Sequence, residues 1–456
     1  MRLLLKNGTV VNEGSCLKGS LLIEDEFIQE IIPESSFREF SQDTEVLDIT
    51  GLYILPGVID CHVHFRQPGD GKKGTIESES RAVVLGGVTS FMDMPNTTPA
   101  TTTKELLREK FNIAKDSSYA NYSFYLGASK DNIEEIKSLD KRNVCGVKLF
   151  MGASTGNMMV EDEKALEDIF KFSPLPVAVH CEDNSIIAKN LQEYKEKYGD
   201  DIPSWCHPLI RSREACLNST KKAVDLAKRF NTQLHILHIT TKEEAELFAK
   251  NDSPRITGEC CANYLWFCSD DYGRLGNLIK ANPAIKERED MNSLREAVKR
   301  GVLKTVGSDH APHLLKDKKL NYLNAPSGIP NGEYTLLMML TLAKEGLFSL
   351  NDVAQRLSHS PADIYKVEKR GYIREGYFAD LAIVNIDKPF EGIKNPASKA
   401  LWSPFSEKGV VLHSDTDKEL ATFPASVEYT FVNGCMTVKK GELTGERKPL
   451  PLTFDR

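Results

Sequence analysis

No Cys-x-x-Cys pair occurs among the 10 cysteines, and the only adjacent two are Cys260 and Cys261. That pattern argues against a thiolate zinc site and against a disulfide framework, so a reducing, cytoplasmic setting is expected. Long apolar runs are missing too. None approaches the roughly 20 residues a helix needs to cross a bilayer. Near the start, Arg2 and Lys6 flank only Leu3-Leu4-Leu5, too short for the apolar core of a secretory signal, so neither a targeting segment nor a membrane partner is expected. Positive charge is also short: 58 Lys and Arg stand against 65 Asp and Glu, a net −7 with no basic stripe. A phosphate backbone would find little to hold it, which excludes nucleic acid as a partner.

What is present is an ordinary globular composition, 41% hydrophobic and 27% charged, over 456 residues. That length exceeds one compact core and predicts a large domain with a smaller one. Both ends of the chain read as short strands and turns, as in Leu3–Val11, Ser20–Asp25, Gly376–Val384 and Tyr429–Val438, and Asn433-Gly434 repeats the Asn7-Gly8 turn signal. We therefore expect a composite β-sandwich domain from residues 1–55 plus 375–456. Between them, strand-like runs alternate with amphipathic stretches: Val88–Asp93, Val147–Phe150, Val177–His180, Leu234–His238 and Thr305–Asp309. Repeated βα units over this length predict an α/β fold, a (β/α)8 TIM barrel over 56–374. Thr102 to Glu105 has capping-box spacing before a helical face of Leu107, Phe111 and Ala114.

Chemically capable residues sit at the ends of these strands: His62, His64, Lys148, His180, His238 and Asp309. On a strand, side chains two apart point the same way, so His62 and His64 can grip one cation from one face. The same pair also fits a hydrogen-bonded core. In a barrel the strand ends share one mouth, which would unite all six residues. Four imidazoles, a carboxylate and a lysine exceed the needs of one zinc ion and suggest two metals. An ammonium cannot ligate, but a neutral Lys148 that captured carbon dioxide would become a bidentate anionic bridge; the alternative is an ion pair with a nearby carboxylate. Arg66 lies two past His64, on the same face if the strand continues, and its planar fork suits a substrate carboxylate, unless it pairs with an acidic neighbour. The segment Met151–Gly156 has two glycines flanking hydroxyls and could close over substrate with Thr155 donating, or form an ordinary βα turn.

The ordered set His62-x-His64, Gly146-Val147-Lys148-Leu149-Phe150, Val179-His180-Cys181-Glu182-Asp183, His235-Ile236-Leu237-His238 and Ser308-Asp309-His310-Ala311-Pro312-His313 resembles the cyclic amidohydrolases of the amidohydrolase superfamily. Within that group it is most similar to the dihydroorotases. The resemblance implies that His62, His64 and Asp309 hold one divalent ion, most simply Zn2+, that His180 and His238 hold a second, and that carbamylated Lys148 bridges them. It further implies a hydroxide between the ions as nucleophile, with Asp309 as general base and acid. Arg66 and Asn96 would hold the substrate carboxylate, with His313 nearby; Asn282 would contact the ring, and Gly328 would let backbone approach it. The implied reaction is reversible hydrolysis of dihydroorotate to N-carbamoyl-aspartate, and relatives are often homodimers. Dihydropyrimidinase, hydantoinase or allantoinase activity is the alternative, and a non-catalytic scaffold a further one. Asn263-Tyr264 departs from the His-His of many relatives.

Overall fold

Eight parallel strands in sequence order form the centre of the computed structural model, which describes residues 2–36, 38–69, 71–152, 158–391, 397–404, 411–412, 419–420 and 422–456. The strands are Val58–Val63, Val88–Asp93, Asn121–Gly127, Gly146–Phe150, Val177–His180, Leu234–Ile236, Ile256–Cys261 and Thr305–Gly307, each paired with its neighbours in order. Every residue in them is buried, as strands covered on both faces must be. The first strand and the chain just past the eighth nearly close the barrel. There Val63 bridges His310, the His64 amide donates to the His310 carbonyl at 2.8 Å, and the Ser308 amide donates to Asp60 Oδ1 at 3.2 Å.

Helices follow the strands with clear start signals. The helix Lys104–Ser117 is capped by Thr103, which accepts from the Leu106 amide, one residue later than the spacing from Thr102 suggested. Its Leu107 and Ala114 are buried and Phe111 packs beside them. Thr75, Asp162, Asp183, Ser212 and Thr241 cap other barrel helices in the same way.

Strands from both chain ends build a separate nine-stranded sheet, mostly antiparallel, in which Leu381–Asn385 joins Ser426–Val432 on one side and Tyr53–Pro56 on the other. It has its own apolar core, including Leu5, Leu21, Ile23, Ile54, Leu381, Ile383 and Phe431. The two Asn-Gly pairs do different jobs. Asn433-Gly434, with φ of 50° and 71°, turns the hairpin between Ser426–Val432 and Cys435–Lys439. Asn7, φ 64°, instead sits inside the strand Arg2–Asn12, where the register shifts between Leu5 and Gly8, so this pair is a bulge and not a turn. The last residues leave the sheet: the Leu452 amide donates to the Tyr122 carbonyl and the Phe454 amide to the Arg142 carbonyl, which packs Leu452 and Phe454 beneath the barrel.

Candidate active site and metal centre

At the C-terminal ends of the strands a cleft of about 480 Å³ is lined by His62, His64, Arg66, Asn96, Lys148, Phe150, His180, His238, Asn282, Asp309, Ala311, Ser327 and Gly328. Residues from eight segments of the chain thus meet at the one mouth that the barrel topology provides.

The first strand delivers His62 and His64 to Asp309, whose Oδ1 lies 3.3 Å from His62 Nε2 and 3.1 Å from His64 Nε2. Both imidazoles are anchored from behind. His62 Nδ1 is 2.7 Å from Glu259 Oε1 on the seventh strand, and His64 Nδ1 is 2.7 Å from Asn96 Oδ1. Each Nδ1 must donate its proton to that acceptor, which leaves both Nε2 lone pairs facing a carboxylate oxygen. Three acceptors pointed at one another are at rest only around a cation. His180 and His238 form the second half, with His180 Nδ1 2.9 Å from His238 Nε2 and His180 Nε2 2.9 Å from Glu182 Oε2. Glu182 is in turn gripped by Arg211, whose Nε donates to both carboxylate oxygens at 3.0 and 3.1 Å. Buried His238 Nδ1 has no hydrogen-bond partner among the described residues. The donor set therefore fits two divalent ions.

Lys148 ends up fully buried among these groups. It has no hydrogen bond or ion pair to any described residue, and its Nζ stands 4.5 Å from the Phe150 ring centroid. Burial pushes its ammonium down to about 7, against the opposing pull of Asp309 and Glu259. Burial also lowers His64 to about 4 and His238 well below its ordinary value, so both imidazoles are neutral at neutral pH. For Asp309 burial alone would raise the carboxyl. The pull of neighbouring His62, the hydrogen bond and charge that His64 offers in acid, and Lys148 outweigh it and hold the group near 2, a carboxylate throughout the neutral range.

Arg66 reaches the cleft by a route that strand alternation does not describe. The strand stops at Val63, and Arg66 takes a left-handed φ of 68°. Its Nε donates to the Pro312 carbonyl at 3.3 Å, its Nη2 lies 3.1 Å from His313 Nε2, and no described carboxylate pairs with it. The acidic-neighbour alternative therefore fails among the described residues. His313 is behind Arg66 and does not line the cleft. Asn96 does line it, but its carbonyl oxygen serves His64. Asn282 lines it with a buried Oδ1 that has no partner among the described residues. Gly328, φ 139°, could carry no side chain: a Cβ there would lie 2.6 Å from the Ala311 carbonyl oxygen. Thr155 and most of the Met151–Gly156 loop lie outside the described residues.

The sequence reading missed the groups that aim the ligands. Glu259 stands in the apolar strand Ile256–Cys261 with no exposure, and an acid in such a run was a signal. Lys318 was likewise unmarked. It is buried with its Nζ donating to the carbonyls of Lys280, Pro326 and Gly328 at 2.9–3.0 Å, three N–H groups that fix the loop beside the ring site.

The profile of the Amidohydrolase family matches residues 53–437, more than four fifths of the chain. The chain belongs to the amidohydrolase family. It is 32% identical over 390 residues to a dihydroorotase of Pyrococcus horikoshii, covering 85% of this chain and 84% of that one. A dihydroorotase of Methanosphaera stadtmanae is 29% identical over 400 residues, covering 86% and 90%. Among solved structures, an L-hydantoinase (dihydropyrimidinase) from Arthrobacter aurescens superimposes with a TM-score of 0.90 at 25% identity over 99% of both chains. As an amidohydrolase of this kind, the protein is a hydrolase acting on cyclic amides. Amidohydrolases generally use a binuclear metal centre, and the groups that could hold it are present. Among the described residues, no helix is long and apolar enough to cross a membrane.

Proposed function

We propose that the protein is a dihydroorotase, hydrolysing the ring amide of dihydroorotate to N-carbamoyl-aspartate and reversing that step. The observation that carries this reading is Arg66: a guanidinium in the cleft with no carboxylate of its own suits a substrate that brings one, and uncharged dihydropyrimidines and hydantoins do not. Similarity to dihydroorotases over most of the chain supports it.

In this reading His62, His64 and Asp309 would hold one ion and His180 and His238 the other, with Lys148, as a carbamate, an anionic ligand. The ligand types suit zinc. When bound, the ions supply Lewis-acid activation of water and polarisation of the scissile carbonyl. The chain does the rest. Arg66 clamps the carboxylate and so fixes the face of the ring presented to attack, while Asn282 and the Gly328 backbone fit the ring edge. The Asp309 carboxylate accepts the proton of the attacking water and passes it to the ring nitrogen as the amide C–N bond breaks. For Lys148, the amine made accessible by burial adds to carbon dioxide, forming one N–C bond and releasing one proton. Native mass spectrometry reads both that adduct and the metal, and a zinc-loaded protein without the adduct would overturn the carbamate ligand.

Steady-state kinetics with dihydroorotate beside dihydrouracil and hydantoin test the substrate. The wild type should prefer dihydroorotate, and Arg66→Met should raise its KM about 10- to 100-fold, as expected for losing a charged hydrogen bond, while leaving the neutral rings unaffected. A wild-type preference for an uncharged ring would leave a cyclic amidohydrolase of the dihydropyrimidinase or hydantoinase kind.

A further inference from the structure

The barrel has a second basin at its opposite end. Gln233, Arg255 and Lys304 each stand immediately before or one residue ahead of the sixth, seventh and eighth strands, and so mark the N-terminal face, away from the metal ligands. With Gln355, Arg356, Ser360, Asp363 and Lys366 they line about 1030 Å³ of space open to solvent. Four cations face one carboxylate there. Asp363 already accepts from the Tyr372 hydroxyl at 2.9 Å, and none of the four cations forms an ion pair with a described residue.

Arg356 distinguishes this basin from a chance group of surface charges. It is only 9% exposed, yet the structure gives it no carboxylate partner. Its Nε donates to the Val298 carbonyl at 3.0 Å, which leaves both Nη groups without a hydrogen bond to any described residue. The guanidinium lies against the bare backbone of Gly301: a Cβ there would come within 2.8 Å of Nη2 and 3.4 Å of Nη1. Glycine therefore makes the seat. Arg356 also stands on a π-helical turn, Gln355–His359, a conformation that recurs at functional sites. The side chain is largely buried while both Nη atoms keep contact with solvent, so the planar fork is presented to the basin, where an anion with several oxygens would replace water.

We propose that this basin binds a phosphate-bearing small molecule, with the two Nη groups of Arg356, fixed by the packed side chain behind them, as the anchor and Arg255, Lys304 and Lys366 around the rim. Its volume admits a free phosphate, a pyrophosphate or a nucleoside phosphate, which share the same recognition chemistry. The proposal is independent of the substrate assigned to the metal-containing cleft.

Isothermal titration of the metal-loaded protein with inorganic phosphate, pyrophosphate and ATP, in 150 mM NaCl with sodium sulfate as a control, tests it and separates the sources. At least one phosphate compound should bind with one-to-one stoichiometry and a Kd below about 1 mM, tighter than sulfate. Arg356→Met should weaken that binding at least 10-fold and leave ring hydrolysis unchanged. Arg66→Met should not affect it, which distinguishes this basin from the cleft at the other end. If Arg356→Met fails to fold, the rim double variant Lys304→Glu/Lys366→Glu carries the same expectation. Absence of binding in the wild type, equal binding of sulfate, or binding unaltered by these variants would overturn the proposal.

Discussion

The two halves of the donor cluster are built on one sheet but held in different ways. His62 and His64 come from one strand, two residues apart, and take their orientation from two separate partners, Glu259 and Asn96. His180 ends strand five, His238 follows strand six, and they lie against each other; among the described residues only the His180 ring is held by an outside side chain, through the buried Glu182–Arg211 pair, while the His238 amide donates to Glu259 at 3.4 Å. His238 compensates with backbone: its φ of 41° is left-handed, as is the 48° of Asp309, conformations that cost on the order of 1–3 kcal/mol each in a non-glycine residue. The first half is thus aimed mainly by side chains, the second by a charge pair and a strained turn.

The largest effect should follow from touching the residue that belongs to the first half and to the chemistry together. Asp309→Asn should lower kcat for ring hydrolysis by about 10²- to 10⁴-fold, the usual worth of a general base. Metal analysis of the same preparation should show the His180 and His238 half still loaded. A variant with nearly normal kcat would remove Asp309 from proton transfer and leave it a ligand alone.

Next in size is the direct contrast between supports. Glu259→Gln and Glu182→Gln should each weaken metal binding about 10- to 100-fold, as is typical of groups that orient a ligating histidine. Their stabilities should differ. Removing Glu182 leaves Arg211 buried and uncompensated, at a cost of about 3–5 kcal/mol, whereas Glu259 answers no fixed cation. Metal titration and thermal unfolding of both metal-free variants check this, and equal unfolding temperatures would break the distinction.

The same division explains what could be read from the sequence. The barrel and the convergence of the donor side chains were legible because both depend on strand periodicity: alternation puts His62 and His64 on one face, and strand ends converge. Arg66 was placed in the cleft for the wrong geometric reason, since the strand ends at Val63 and a left-handed turn does the work. Nothing in a run of L-residues announces a positive φ at Arg66, His238 or Asp309. Asn7-Gly8 failed similarly, because a bulge and a hairpin turn ask for the same residues. Glu259 and Lys318 were invisible as partners because their contacts cross 197 residues of chain in the first case, and join three loop carbonyls in the second.

The smallest predicted effect extends the comparison to a buried carboxylate with no cation at all. Glu333 is buried, and its Oε2 accepts from the Ala397 amide at 3.2 Å. Burial, helped by the charge of Glu79, raises its carboxyl from an ordinary 4.5 to about 7, the opposite direction to Glu182, where Arg211 and His180 outweigh burial. Because the folded state holds this proton more tightly, the unfolded chain ionises first as pH rises. Stability should therefore fall between about pH 4.5 and pH 7 and remain lower above it, by about 3 kcal/mol at full ionisation. Glu333→Gln keeps an acceptor for the Ala397 amide without the titration, so the unfolding temperature of the variant should exceed that of the wild type at pH 8 and converge with it near pH 5. A gap that stayed constant across this range would show that the carboxyl does not titrate there, and that burial without a cation is tolerated at this site by other means.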